Sequence, residues 1–240
     1  MRRRACLSLC CVIASSLVPQ AGRGQELIAG WEGGPRGGYA FATTLVSFGL
    51  GGHHALVIGG SASYLYYSFP DSGGPTAVTS PGASAVLGYR LRTERLATTL
   101  SALYELRRTW EDPAALPATR RAERGVAGEG DLWFRAAPLT VLEAIASYSG
   151  ANHYLWARTS LKRQLTDRQF QGPVAFGVGV EGTLQGDRDV RTYQGGVVLA
   201  LELVRSDGSL ELRSGYARLQ YSDQTAESKP YFGVSFYRAC

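Results

Sequence analysis

The chain has 240 residues, 45% of them apolar and 10% aromatic, with 13 Tyr, 30 Gly and only 19% charged residues. That mix excludes a disordered chain and suits β-structure with tight turns, in one domain of ordinary size. The net charge of +5 owes three units to Arg2, Arg3 and Arg4, and the remaining basic residues scatter among acids, so no patch fit for nucleic acid is formed.

Residues 1–24 read as a secretory signal peptide. Met1 to Arg4 is a basic start, and Ala5 to Val18 is an unbroken apolar or small run. Pro19 and Gln20 break that run, and the small residues Ala21, Gly22 and Gly24 follow. The run is too short to span a bilayer as a helix, which needs about 20 residues. Cleavage is expected between about Gly22 and Leu27, leaving residues 25–240 as one domain. Cys6, Cys10 and Cys11 leave with the signal and only Cys240 stays, so no disulfide can form within the mature chain. Nothing in the sequence calls for a metal or any other cofactor.

After Pro19 no stretch is apolar enough for a transmembrane helix. Period-two alternation recurs instead. The spacing predicts strands near 26–32, 38–50, 55–68, 83–92, 96–110, 125–134, 141–148, 152–163, 169–182, 193–204, 209–221 and 230–237. Alternation falters near Ser214, where a bulge is expected. Connections such as Phe69–Gly82, Glu111–Arg124, Thr183–Thr192 and Ser222–Lys229 are long, and those between them are short. The fold class expected is therefore all-β: an antiparallel, up-and-down transmembrane β-barrel of about twelve strands, ten at the fewest. It would lie in the cell outer membrane with both termini in the periplasm. A soluble β-sandwich shares much of this signature.

If the apolar positions face lipid, the alternate positions face the lumen. The lumen set is then Glu105, Arg107, Glu129, Asp131, Trp133, Glu143, Trp156, Arg158, Glu181, Glu202, Glu211 and Arg213. These residues either plug and rigidify the barrel or line a polar path or saccharide site, with Trp133, Tyr154 and Trp156 as stacking surfaces. A catalytic triad can be drawn from Ser149, His153 and Glu143, but no GxSxG or similar motif supports it.

The ordered motifs Ala85-Val-Leu-Gly-Tyr-Arg90, Tyr104, Glu111-Asp-Pro113, Gly130-Asp-Leu-Trp-Phe134, Ala146-Ser-Tyr-Ser149, Tyr154-Leu-Trp-Ala-Arg158, Gly172-Pro173, Gly186-Asp187 and Tyr193-Gln-Gly-Gly196 resemble the cellulose biosynthesis protein BcsS family. The resemblance runs across roughly 80–240 and more loosely from Gly30. It implies a secreted outer-membrane barrel associated with bacterial cellulose synthesis; as the residues supply no catalytic constellation, a non-catalytic accessory acting in export, anchoring or organisation of the glucan is expected. The partners implied are outer-membrane lipid, a β-glucan and other components of the cellulose-synthase complex. Trp133, Tyr154 and Trp156, with Asp131 and Arg158 as polar partners, are the expected glucan contacts. A lipid-modifying barrel enzyme and a passive structural barrel are the competing readings. The chain departs from the family at its end, where Phe236-Tyr237 is followed by Arg238-Ala239-Cys240.

Overall fold

Alternating apolar and polar residues can satisfy every backbone hydrogen bond in a sheet only if the sheet has no free edge in lipid. The chain meets that demand by closure. The computed structural model describes residues 23–71, 74–166, 173–187, 190–203, 207–221 and 226–239. The body of the expected signal peptide (residues 1–22) and Cys240 lie outside them. Twelve antiparallel strands follow in chain order: β1 (Arg23–Gly34), β2 (Gly37–Gly51), β3 (His54–Asp71), β4 (Gly74–Arg92), β5 (Leu96–Pro113) and β6 (Thr119–Ala137), then β7 (Thr140–Ser149), β8 (Tyr154–Gln164), β9 (Val174–Gly186), β10 (Val190–Leu203), β11 (Gly208–Tyr221) and β12 (Ala226–Ala239). Each strand pairs with its sequence neighbours, and β1 pairs with β12 to close the barrel. Closure into one sheet overturns the sandwich alternative. The Arg238-Ala239 tail belongs to the seam, since Arg238 pairs with Leu27 and Ala239 with Glu26.

Burial is inverted relative to a soluble domain. Leu100 is 67% exposed, Val126 65% and Val197 61%, all on the outer face, whereas the Glu181 side chain is fully buried on the inner one. In water such an apolar band would be an aggregation surface; in lipid it is the required exterior. Outward aromatics form two girdles. Trp31, Tyr64, Tyr104, Tyr148, Tyr193 and Tyr216 mark the external side, and Tyr89, Phe134 and Phe176 the periplasmic side. Tyr104 pairs with Val126, and Phe134 lies eight residues further along β6. That is roughly 27 Å of strand, or about 20 Å along the membrane normal at a tilt near 40°.

The expected long external loops are largely strand. β4 begins at Gly74, well before the expected residue 83, and β5 and β6 run on to Pro113 and from Thr119. Pro81 hid the β4 extension in the sequence. It sits where the β4–β5 register skips Ser80 and Pro81, so its missing N–H costs no ladder bond. The Ser80 and Thr109 hydroxyls, 2.9 Å apart, bridge the gap, and the Ser80 carbonyl accepts from Arg107 at 3.3 Å. The expected bulge at Ser214 is absent: its pairing runs unbroken to Val197 and Phe232, and Ser214 takes an outward position. Register shifts occur instead at Gly49/Gly51 and Arg135/Ala137, both at periplasmic strand ends.

Candidate functional site

The inner wall is a linked set of charges. Glu181 on β9 is held by Arg213 Nε at 3.1 Å and by Arg158 Nε at 3.8 Å, and its Oε1 accepts the Tyr231 hydroxyl at 2.8 Å. Arg158 also binds Glu32, Arg213 also binds Glu211, and Lys162 binds both Glu211 and Glu143. The series Glu32, Arg158, Glu181, Arg213, Glu211, Lys162, Glu143 draws on β1, β7, β8, β9 and β11. Strands β1 and β7 stand opposite each other in the ring, so the series crosses the lumen. Shielded from bulk water, each charge needs its partners, because an unpaired buried ion costs several kcal/mol. A second inward pair, Arg90 with Glu26, links β4 to β1 toward the periplasmic side, at 3.0 Å from Arg90 Nη2.

Small inward residues make room for these long side chains. Gly196 on β10 pairs with Gly215 on β11, and Tyr231 from β12 lies across both. A Cβ on Gly196 would stand 2.3 Å from the Tyr231 hydroxyl, and one on Gly215 would stand 2.8 Å from its ring. Gly179 does the same for Lys162, whose Cγ would be 2.8 Å from an added Cβ.

All twelve members of the expected lumen set share the inward parity of their strands. The five expected glucan contacts lie on two strands, β6 and β8, with Asp131 and Arg158 in one row through Ile145. Asp131 and Trp133 sit toward the periplasmic end of β6, with Asp131 beside Thr99 and Arg90. Tyr154, Trp156 and Arg158 line the external half of β8. Ser147 pairs with both Glu129 and Trp156, so Trp133 lies four residues deeper than Trp156, roughly 13 Å of strand. They do not form one platform. The Tyr154 hydroxyl donates to Gln185 at 3.1 Å, and the Arg158 guanidinium lies over the Trp156 ring at 4.9 Å while bound by Glu32 and Glu181.

The triad that could be drawn from sequence is not assembled. Ser149 Oγ donates to Glu105 at 2.5 Å, His153 Nδ1 lies 3.0 Å from the Tyr148 hydroxyl, and Glu143 binds Lys162. Ser149 points inward and Tyr148 outward, as alternation on one strand requires.

Sequence reading missed an aromatic series on the inner face of β2 and β3 at the external mouth. Tyr39 stacks with Phe41, ring centroids 5.9 Å apart, and Tyr67 stacks with Phe69 at 6.1 Å. The aromatic density of Tyr64-Leu65-Tyr66-Tyr67-Ser68-Phe69 was the available signal. Only the pairing shows that Tyr64 and Tyr66 face lipid while Tyr67 and Phe69 face the mouth.

Solved structures similar to this chain are outer-membrane barrels. The beta domain of the Bordetella autotransporter BrkA aligns with a TM-score of 0.55 at 12% identity, covering 90% of this chain and 98% of that one. An outer-membrane channel from Pseudomonas putida F1 aligns with a TM-score of 0.57 at 9% identity, covering 93% and 97%. At such identities the likeness establishes the fold alone. No sequence among curated proteins matches the chain. The family model described as cellulose biosynthesis protein BcsS matches residues 20–239. With that match over nearly the whole chain, and with a closed twelve-stranded barrel to carry it, this protein of the outer membrane belongs to the cellulose biosynthesis protein BcsS family.

Proposed function

We propose that the barrel serves cellulose synthesis as a non-catalytic accessory that anchors or organises the glucan at the outer membrane, rather than exporting it through an open lumen. Its partners are then the glucan and other components of the synthase complex. The observation that carries this reading is the cross-lumen series from Glu32 to Glu143. A polymer threading the lumen would have to part these pairs and leave buried charges without counter-ions, at several kcal/mol each. The separate positions of Ser149, His153 and Glu143 speak for a binding role over a hydrolytic one. Delivery to the outer membrane is by the signal peptide, residues 1–24.

The test is a deletion strain complemented with wild-type protein or with the double variant Trp133→Ala/Trp156→Ala. Deletion is expected to lower or disorganise extracellular cellulose while synthase activity in isolated membranes persists. The double variant is expected to assemble and to restore cellulose only in part. Normal cellulose after deletion would refute the accessory role. Full restoration by the double variant would remove the two tryptophans from it.

A further inference from the structure

We infer that the external mouth carries a β-glucan-binding wall formed by Tyr39, Phe41, Tyr67 and Phe69. The inference takes its ligand class from the cellulose reading above; the geometry is independent of it. The four rings climb one inner face. Phe41 lies over Gly30, where an added Cβ would be 2.8 Å from its ring, and Tyr39 follows two residues nearer the mouth. Tyr67 stands beside Gly37, where an added Cβ would be 2.6 Å from the Tyr67 Cβ, and Phe69 follows as the uppermost ring. From the level of Ser63, which pairs with Phe41, to Phe69 is six residues of β3, roughly 20 Å of path. The wall therefore follows a chain of sugars rather than cradling a single one.

Beside the rings, on β4, β5 and β6, stand groups that pair with hydroxyls. Tyr67, Val78 and Glu111 share one hydrogen-bonded row, and Arg121 binds Glu111. Tyr39 lies within electrostatic reach of Arg107, Glu105 and Glu129. Among the described residues Arg107 hydrogen-bonds only to the Ser80 carbonyl and the Ser63 hydroxyl, at 3.3 and 3.4 Å, both weak. The Thr76 hydroxyl, on the residue paired with Phe69 in the neighbouring strand, is buried without a hydrogen-bond partner among the described residues. Apolar ring faces flanked by carboxylates and guanidinium groups complement a flat, equatorially substituted glucan, whose ring faces are apolar and whose edges carry the hydroxyls. Tyr39, Tyr67 and Phe69 remain 38–41% exposed, so the faces are open to a ligand. Tyr67 and Phe69 lie above the row of Glu32 and Tyr39, so a ligand reaches them from outside without a break in the ion series.

The experiment titrates cellohexaose into the full-length mature barrel in detergent and follows binding by calorimetry. Wild-type protein is expected to bind. Tyr67→Ala/Phe69→Ala is expected to weaken binding roughly tenfold or more. Tyr64→Ala/Tyr66→Ala, on the outward face of the same strand, is expected to leave binding unchanged. All variants should keep heat-modifiable gel mobility, which reports a folded barrel. Absence of binding by the wild type, or equal binding by the inner double variant, would overturn the inference. Equal binding of the helical α-linked maltohexaose would overturn its β-glucan class. A deletion strain with altered cellulose but a barrel blind to cellohexaose would sink this wall and leave the accessory role standing. Cellohexaose binding sensitive to Tyr67 and Phe69, with normal cellulose on deletion, would do the reverse.

Discussion

Tyr231 on β12 reaches over the glycine pair Gly215 and Gly196 to donate its hydroxyl to Glu181 on β9, at 2.8 Å. One side chain spans the two intervening strands, β11 and β10, and the carboxylate it meets is the one that Arg158 and Arg213 share.

Glu181→Ala therefore leaves two guanidinium groups facing each other in a buried setting. The expected loss is about 3–5 kcal/mol, read as a lower urea midpoint of the folded, heat-modifiable band. Glu181→Gln keeps an acceptor for Tyr231 and should fall between. Tyr231→Phe should cost about 1 kcal/mol. Gly215→Val brings a Cβ within 2.2 Å of the Gly195 carbonyl and should block assembly outright. A Glu181→Ala barrel as stable as wild type would show that the series is not coupled.

The two faces of β10 should respond in opposite ways. Leu199 faces lipid and is 40% exposed, whereas Glu202 accepts from Gln164 at 2.8 Å inside. Leu199→Arg is expected to lose about 2–4 kcal/mol and to reduce outer-membrane recovery. Glu202→Gln should assemble normally. The reverse ranking in a membrane fractionation would invert the assignment of faces.

The seam constrains signal cleavage. Glu26 closes the periplasmic pair with Arg90, and β1 pairs with β2 from Arg23 onward. N-terminal sequencing of the mature protein should find a start that retains Glu26. Removal through Glu26, or Glu26→Ala, should lower thermal stability; an intact Met1 would refute the signal reading.

Much of the barrel was legible because alternation needs only local sequence. Val174 to Glu181 and Val197 to Leu203 each declare two faces without any knowledge of their partners. Inward parity placed Glu181, Arg213 and the rest correctly for the same reason. Two kinds of information were not local. The Gly74–Gly82 stretch, with Pro75 and Pro81, reads as loop until β3 and β5 are beside it to pair around the prolines. Arg158 and Glu32 are 126 residues apart, and their meeting depends on the ring order. The same holds for the mouth: sequence shows the aromatics of β3, while Tyr39 and Phe41 join them only through the β2–β3 register.

An organising barrel with a crossed lumen differs from an export pore in one measurable property. Purified protein reconstituted in a planar bilayer should show no sustained open conductance, and Arg158→Ala combined with Lys162→Ala should introduce open events by removing two of the three cations that hold the series together. A steady, porin-like conductance of the wild-type barrel would contradict the closed lumen and make export through it the better account.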